Sequence, residues 1–263
     1  MRQSMRLMSM VLAASAISTV AEAQIPGMPL FTNPRYGSGI RIHGDIGQPT
    51  DQGTTAGDLT VIQGGLTFAL GPVGIGANVG ALRNDASAIQ DCTSTSTAAC
   101  DTQTKVTASA LAQLRIAGGG ASSVSLSLFG GGSMDINAYD ALDCTGLTGT
   151  PLATCQAISD ANQAKVLTVP LGVAVGLRVP LGFATLNLWG APRYNIVKLV
   201  NCPDANPAPC DAESQSDFRY AFGADLPIFR ILSVRAAYEA GKIGDVDFKV
   251  WGVGASIGIG GMR

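Results

Sequence analysis

The stretch that decides the fold is residues 166–179, which read VLTVPLGVAVGLRV. Every odd position from Leu167 to Val179 carries a large apolar side chain, whereas the even positions between them carry Thr, Pro, Gly, Ala or Arg. A β-strand points successive side chains to opposite faces, so one face of this segment is wholly apolar and the other is small or charged. The stretch is long enough for a tilted strand across a membrane, which needs roughly 9–11 residues.

The same two-residue period recurs along the rest of the chain. In residues 104–116, Val106 and Leu114 lie on an apolar face, and Lys105 and Arg115 lie on the opposite one. Ten such segments lie near 36–46, 58–70, 72–83, 104–117, 123–135, 165–179, 182–196, 217–227, 230–240 and 247–259. An even number is typical of bacterial single-chain barrels. Segment boundaries are uncertain by a few residues, so eight or twelve strands are the alternatives to ten.

The composition favours a membrane protein without spanning helices. Charged residues make up 14% of the chain, below the roughly 25% of a typical soluble domain. No segment after the N-terminus reaches 18 consecutive apolar residues, so no transmembrane helix is predicted. A closed β-barrel satisfies all backbone groups between strands and is the remaining membrane architecture. The formal net charge of -2 argues against a nucleic-acid partner.

The N-terminus has the pattern of an export signal. Arg2 and Arg6 precede an apolar stretch over 7–20, and Ala21-Glu22-Ala23 follows as a cleavage site of the A-x-A type. A disordered start or a membrane anchor is the alternative. We therefore predict three parts, which are a signal peptide over 1–23, an N-terminal periplasmic segment over 24–35 and a transmembrane barrel over 36–263.

The connectors between the predicted strands alternate in length. Short ones lie at 71–72, 118–122, 180–181 and 227–229, and long polar ones lie at 47–57, 84–103, 136–164, 197–216 and 241–246. Short periplasmic turns and long external loops are typical of membrane barrels. A soluble β-sandwich is the alternative fold, but it does not sort its connectors this way by default.

The six cysteines form three local pairs, each inside one long connector. The pairs are Cys92 with Cys100, Cys144 with Cys155, and Cys202 with Cys210. Six cysteines allow 15 connectivities, and the membrane topology favours the local one. We predict three disulfides on the external side, because exported proteins meet an oxidising compartment. Zinc is the competing interpretation, but these connectors contain no histidine and lack C-x2-C spacing, so we predict no metal site.

Aromatic residues near the predicted strand ends suggest two interfacial girdles. The short-turn group is Phe68, Phe183 and Phe229, and the long-loop group is Trp189, Tyr194, Phe218, Tyr220, Tyr238, Phe248 and Trp251. Ordinary packing is the alternative role for these rings.

The polar positions of the strands are predicted to face the barrel lumen. The charged and titratable members are Arg41, His43, Asp45, Arg115, Arg178, Arg219, Asp225, Arg235 and Glu239. Buried charges must pair or contact water, so these residues form either a salt-bridged core or the wall of a narrow pore. Small residues at other inward positions, such as Gly80, Gly172 and Gly252, either leave room for water or let the strands curve.

A membrane-embedded hydrolase is a further hypothesis, centred on the single histidine. Asp45 lies on the same strand face as His43, two residues on, but the pattern supplies no positioned nucleophile. The Gly-Gly-Gly runs at 118–120 and 130–132 lack the Lys-Ser/Thr of a phosphate loop, and we interpret them as a turn and as a bulge or kink. We therefore predict a protein that is not an enzyme and has no cofactor.

The segment Val169–Arg178 resembles a strand of the small, porin-like outer-membrane β-barrel proteins of Gram-negative bacteria. The resemblance extends loosely over residues 36–263 and implies a location in the outer membrane, lipid as surroundings and insertion by the barrel assembly machinery. Gly254, Ile257 and Ile259 match the spacing of the family's C-terminal recognition signal, but the chain continues through residues 260–263 without a terminal aromatic.

The sequence therefore predicts an all-β, closed antiparallel transmembrane barrel of about ten strands. Its expected role is a porin-like or structural barrel, with a narrow channel for small solutes as one form of it. The alternatives are a surface recognition or adhesion protein that binds a partner through its disulfide-pinned loops, and the hydrolase.

Overall fold

The computed structural model describes the barrel wall and one segment that precedes it. The described residues are 28–34, 38–50, 58–85, 103–118, 122–138, 148–149, 152, 165–182, 184–200, 214–229, 231–243 and 246–259. The predicted signal peptide, residues 24–27 of the predicted periplasmic segment and all six cysteines lie outside these residues. Within the described part of the chain, no helix is long and apolar enough to cross a membrane.

Ten strands form the wall, and alternating apolar and small or polar residues produce each of them. They are β1 (Gly39–Pro49), β2 (Asp58–Leu70), β3 (Val73–Asp85), β4 (Gln103–Gly118), β5 (Val124–Asp135), β6 (Lys165–Pro180), β7 (Thr185–Val200), β8 (Gln215–Pro227), β9 (Leu232–Ile243) and β10 (Val246–Ile259). Each strand pairs antiparallel with its neighbours in sequence, and β1 pairs with β10 from Ile40↔Ile259 to Pro49↔Val250. The barrel is therefore closed, and the prediction of ten antiparallel strands is confirmed.

The short turns lie at one end of the barrel, which we call the turn end, and the long connectors lie at the other, which we call the loop end. The turn end joins β2 to β3, β4 to β5, β6 to β7 and β8 to β9. Gly71, Gly118 and Gly182 have positive φ angles of 61°, 71° and 83° there, which glycine adopts at little cost. The prediction of a long connector over 241–246 is wrong. Strands β9 and β10 pair as far as Ile243↔Val246, and only residues 244–245 join them.

A bulge lies in β4 rather than in the glycine run of β5. The β4–β5 register shifts between Arg115 and Ala117, whereas the pairing runs without a shift through Gly130, Gly131 and Gly132. The extra residue in β4 lies next to the turn end, where the side chain of Arg115 donates to the Gly71 carbonyl of the neighbouring turn. Of the two interpretations given for 130–132, a bulge is therefore wrong and a kink stays a prediction.

The outer face of the wall is an apolar belt. Ile42, Ile62, Ile75, Leu171 and Val253 are each exposed on it, along with many other large apolar side chains. Such a surface is too extensive for water and suits lipid chains. Tyr194, Phe218, Tyr220 and Trp251 are also exposed on this face in the half nearest the loop end, and Phe68 and Phe229 are exposed at the turn end.

Two residues of the predicted girdle are in the interior instead. Trp189 and Phe248 are 4% and 7% exposed, and they share strand parity with lumenal neighbours such as Ala191 and Val250. The prediction was wrong because distance from the strand end placed these rings, while the two-residue period decides which face they occupy. Gly223 makes room for the Trp189 ring, since a Cβ there would collide with it.

Candidate functional site

The N-terminal segment 28–34 lies inside the barrel. All seven of its residues are buried, and Leu30 and Phe31 belong to the same apolar core as Val61, Leu82 and Val250 of the wall. Residues 28–34 are therefore not periplasmic, and the prediction for 24–35 is wrong over this part. The physical reason is that Met28, Leu30 and Phe31 bury apolar surface that a periplasmic tail would leave in water. We call residues 28–34 the lumenal segment.

Glycines in the wall create the seat for this segment. Gly47 of β1 and Gly252 of β10 face each other in register, and a Cβ on either would collide with the Phe31 ring. A Cβ on Gly80 of β3 would collide in the same way with the Met28 side chain. Small inward residues thus leave room for a part of the chain itself here, and not only for water.

The lumenal segment runs from the loop half of the barrel towards the turn end. Met28 lies beside Val61, Leu82 and Lys105, which are near the loop ends of β2, β3 and β4. Asn33 hydrogen-bonds to Asp225, which is two residues from the turn end of β8. The chain then enters β1 at Gly39, at the turn end. The segment therefore crosses the middle of the lumen once before the wall begins.

A cluster around Glu239 attaches the segment to the wall. The fully buried Glu239 carboxylate accepts from Arg193 at 2.5 Å and from the Leu30 backbone N–H at 2.5 Å, and Arg219 lies 3.8 Å away. Arg193 also donates to the Met28 carbonyl at 3.3 Å. One carboxylate thus connects β7, β8, β9 and the lumenal segment.

The same cluster continues through β8. Arg219 donates to both oxygens of Asp217, with its Nη2 at 2.6 Å, and its guanidinium lies 4.9 Å from the centre of the Phe248 ring. Asn195 donates to Asp217 at 2.6 Å. These charge-assisted bonds offset the cost of removing the ions from water.

A second ion pair lies across the closure of the barrel. Arg235 of β9 donates to Asp45 of β1 at 2.5 Å, although the two residues are 190 positions apart in the chain. Gln63 also donates to Asp45, at 3.4 Å, and a Cβ at Gly254 between the strands would collide with the Asp45 carboxylate. This pair depends on the β1–β10 register and therefore on a closed barrel.

A third pair lies near the loop end. Asp135 accepts from Lys105 at 3.1 Å, from the Thr107 hydroxyl at 2.8 Å and from the Val166 backbone N–H at 2.9 Å. It joins β4, β5 and β6 where the wall meets the long connectors.

The geometry around His43 differs from what the hydrolase hypothesis requires. His43 Nε2 lies 2.7 Å from the Asn78 amide oxygen, and Asn78 in turn donates to the Ser109 hydroxyl at 3.3 Å. Asp45 is engaged by Arg235 and Gln63 instead of His43. A nucleophile must be within hydrogen-bond reach of its base, and Ser109 is bonded to the amide. His43 is thus placed as a link in a polar chain between β1, β3 and β4.

All nine predicted lumen-lining residues occupy inward positions, but they are brought together in ways that the sequence did not suggest. Arg235 and Glu239 share a strand face, yet they bind different partners. Arg41, Arg115 and Arg178 lie at the turn half of the lumen and are partly exposed. Four further buried charges are absent from the predicted set, and the two-residue period of their strands could have found them: Lys105, Asp135, Arg193 and Asp217.

Two small cavities lie beside the segment in the described part of the lumen. A cavity of about 20 Å³ lies between Met28, Leu30, Thr168, Arg193 and Asn195, and another of about 10 Å³ lies beside Met28 and Val61. Holding one water takes roughly 10–15 Å³. Among the described residues no group of three or more metal-ligating side chains is present. Each of these two cavities has room for one or two waters.

Comparison with known proteins matches the fold alone. No protein-family model matches the chain, and no curated protein matches it. The β domain of the Bordetella autotransporter BrkA superposes with a TM-score of 0.52 at 8% sequence identity, covering 85% of this chain and 100% of that one. The translocator domain of the autotransporter NalP from Neisseria meningitidis gives a TM-score of 0.40 at 13% identity, with 85% and 90% covered. The Yersinia pestis outer membrane protein Ail gives 0.35 at 11% identity, with 85% and 100% covered. The chain therefore has the closed antiparallel β-barrel fold of Gram-negative outer-membrane proteins.

Proposed function

We propose that this protein is an outer-membrane β-barrel that is closed at rest by its own lumenal segment and acts as a structural anchor in the envelope. The observation that carries the proposal is the burial of residues 28–34 against the wall, with Phe31 seated on Gly47 and Gly252. The apolar outer belt supports the location in lipid. Insertion by the barrel assembly machinery and export through a cleaved signal peptide belong to the same proposal.

A resting porin would need a continuous water path, and the described lumen favours a closed barrel instead. The lumenal segment contacts β3 on one side and β7 on the other, and three ion-pair clusters link strands of the wall that are at most two places apart. The two small cavities beside the segment hold one or two waters each. Ten strands also enclose far less space than the 16–18 strands of wide aqueous channels. Passage of small solutes is therefore not the resting activity in this proposal.

Conductance of the unmodified protein tests whether the barrel is closed at rest. The protein is purified from membranes of expressing cells and inserted in a planar bilayer, after a heat-modifiable gel shift has verified that the barrel is formed. The expected result is a folded barrel without discrete current steps. Reproducible steps from the unmodified barrel would contradict the closed resting state.

A second candidate function is recognition of a surface partner by the connectors at the loop end. The observation that favours it is the position of the connectors 51–57, 86–102, 139–164 and 201–213 at one end, with the three predicted disulfides inside the last three. Shortening one connector at a time should abolish binding to a surface partner while the gel shift remains. Unchanged binding after all four deletions would exclude this role.

A further inference from the structure

The lumenal segment is attached to the barrel but is not part of its wall. The closing β1–β10 pairs begin at Ile40, and none of the strand pairs involves residues 28–34. The hydrogen bonds of the wall are therefore complete without the segment. Removal of the segment would leave a closed barrel, because backbone pairing is what holds a membrane barrel together.

Among the described residues, three hydrogen bonds and apolar packing attach the segment to the wall. The Leu30 N–H donates to Glu239, Arg193 donates to the Met28 carbonyl, and Asn33 hydrogen-bonds to Asp225. The side chains of Met28, Leu30 and Phe31 pack against the wall, with Phe31 on its glycine seat. Each wall partner has a second partner in the wall or a charged neighbour, since Glu239 also pairs with Arg193 and Asp225 lies opposite Arg235 in register. The wall network would therefore persist if the segment left.

If the segment left the lumen, the vacated space would be widest at the level where the inward positions of the wall are glycines. Gly47, Gly80 and Gly252 surround Met28 and Phe31 and offer no side chain that could fill their place. The loss of two large side chains from this level would create a water-accessible gap, because glycine positions cannot refill it by rotation.

The inward face of the wall as a whole carries an excess of positive charge, which comes from Arg41, Arg115 and Arg178 in the turn half of the lumen. Among the inward positions with described side chains, seven are cationic and five anionic, which leaves two positive charges in excess. The cations are Arg41, Lys105, Arg115, Arg178, Arg193, Arg219 and Arg235, and the anions are Asp45, Asp135, Asp217, Asp225 and Glu239. Rings of Arg and Lys favour anions in pores.

The arginines also present donors towards the lumen. Arg193 Nε, Arg219 Nη1 and Arg235 Nη1 are buried and have no hydrogen-bond acceptor within the described protein. Buried guanidinium N–H groups without acceptors are sites for water or small anions when these can enter.

We propose that residues 28–34 are a removable plug, and that the barrel conducts small anions when the plug leaves its glycine seat. This goes beyond the anchoring role proposed above, which concerns the resting state. The fixed charges of the wall select the ion. Conduction involves no covalent step and no cofactor.

The test places methyl groups on the seat. The double substitution Gly47→Ala and Gly252→Ala would push the Phe31 ring out, and overpacking of this size predicts about a ten- to hundredfold rise in open probability in a planar bilayer. Gly190→Ala is the matched control, because a Cβ at Gly190 meets nothing within 4 Å. In a KCl gradient the reversal potential should have the sign of an anion-selective pore.

A second variant lacks residues 28–34 and leaves the wall unchanged, so it covers the case in which the alanines impair folding. It should conduct continuously with the same selectivity. Folded but silent variants would overturn the plug proposal while leaving the closed resting barrel intact. Cation-selective currents would overturn the assignment to anions. Currents of the same size and frequency from the unmodified protein would overturn the closed resting state.

Discussion

The replacement Glu239→Ala tests the cluster that joins the wall to the lumenal segment. Glu239 is fully buried, and Arg193, its partner at 2.5 Å, is also buried. Arg219 would keep Asp217, but among the described residues Arg193 would keep the Met28 carbonyl alone as an acceptor. An uncompensated buried charge costs about 3–5 kcal/mol, and the orphaned Leu30 N–H adds about 1–3 kcal/mol.

Water that enters the vacated space will offset part of this cost. We therefore expect the free energy of unfolding to fall by about 4 kcal/mol, measured by urea titration in lipid vesicles with linear extrapolation. Glu239→Gln should cost less, since the amide oxygen can still accept from Leu30. Lys198→Ala, an exposed charge on the outer face of β7, should change stability by no more than about 0.5 kcal/mol.

The double variant Glu239→Ala, Arg193→Ala separates the ion pair from general damage to the core. If Glu239 and Arg193 interact as in the structure, the double variant should lose less free energy of unfolding than the two single losses added together. The difference should be about 1–3 kcal/mol. Additive losses, or a Glu239→Ala variant within about 1 kcal/mol of the unmodified protein, would refute the reasoning.

Two further predictions concern the closure of the barrel and the direction of its side chains. Asp45→Ala should lower the free energy of unfolding by about 3 kcal/mol, because it removes the carboxylate that accepts from Arg235 and leaves Asp225 as the facing anion. Adding Arg235→Ala should recover part of this loss. A loss under about 0.5 kcal/mol would mean that the pair does not form. Brominated lipids should quench the fluorescence of Trp251, which is 42% exposed on the outer face, and spare Trp189, which is 4% exposed in the lumen. The variants Trp189→Phe and Trp251→Phe isolate the two signals, and equal quenching would disprove the assignment of faces.

Much of the wall follows from the two-residue period. The alternation in residues 166–179 places Thr168, Ala174 and Gly176 inside, because a strand whose apolar face meets lipid must turn its other face to the lumen. The nine predicted lumenal positions fall inward for the same reason. Trp189 and Phe248 were assigned to the outer face from their distance to the strand end and not from the two-residue period, which places both rings inside.

The pairing inside the lumen could not be predicted in this way. Asp45 and Arg235 meet because β1 and β9 both flank β10 in the closed barrel, and the stagger of the strands sets which side chains come level. That stagger is a property of the closed ring, and no local pattern encodes it. The same holds for Arg193 with Glu239, whose strands both flank β8, whereas Lys105 and Asp135 meet through the register of the directly paired strands β4 and β5.

The lumenal segment was missed for a different reason. Residues 28–34 read MPLFTNP, which has neither the strand period nor the helical one, so they were predicted to be part of a periplasmic segment. Its seat is built from Gly47, Gly80 and Gly252, which are far apart in sequence and come together only when the barrel closes. The position of the segment is therefore a consequence of tertiary structure alone.

Hydrogen exchange at the Leu30 amide tests the central claim most directly, since this N–H donates to the buried Glu239 carboxylate inside the lumen. If residues 28–34 occupy the lumen, exchange of this amide in the refolded protein should be slowed by about a thousandfold or more relative to an unstructured peptide. Exchange at the unstructured rate, while the amides of β1 and β10 stay protected, would place the segment outside the barrel and contradict the account.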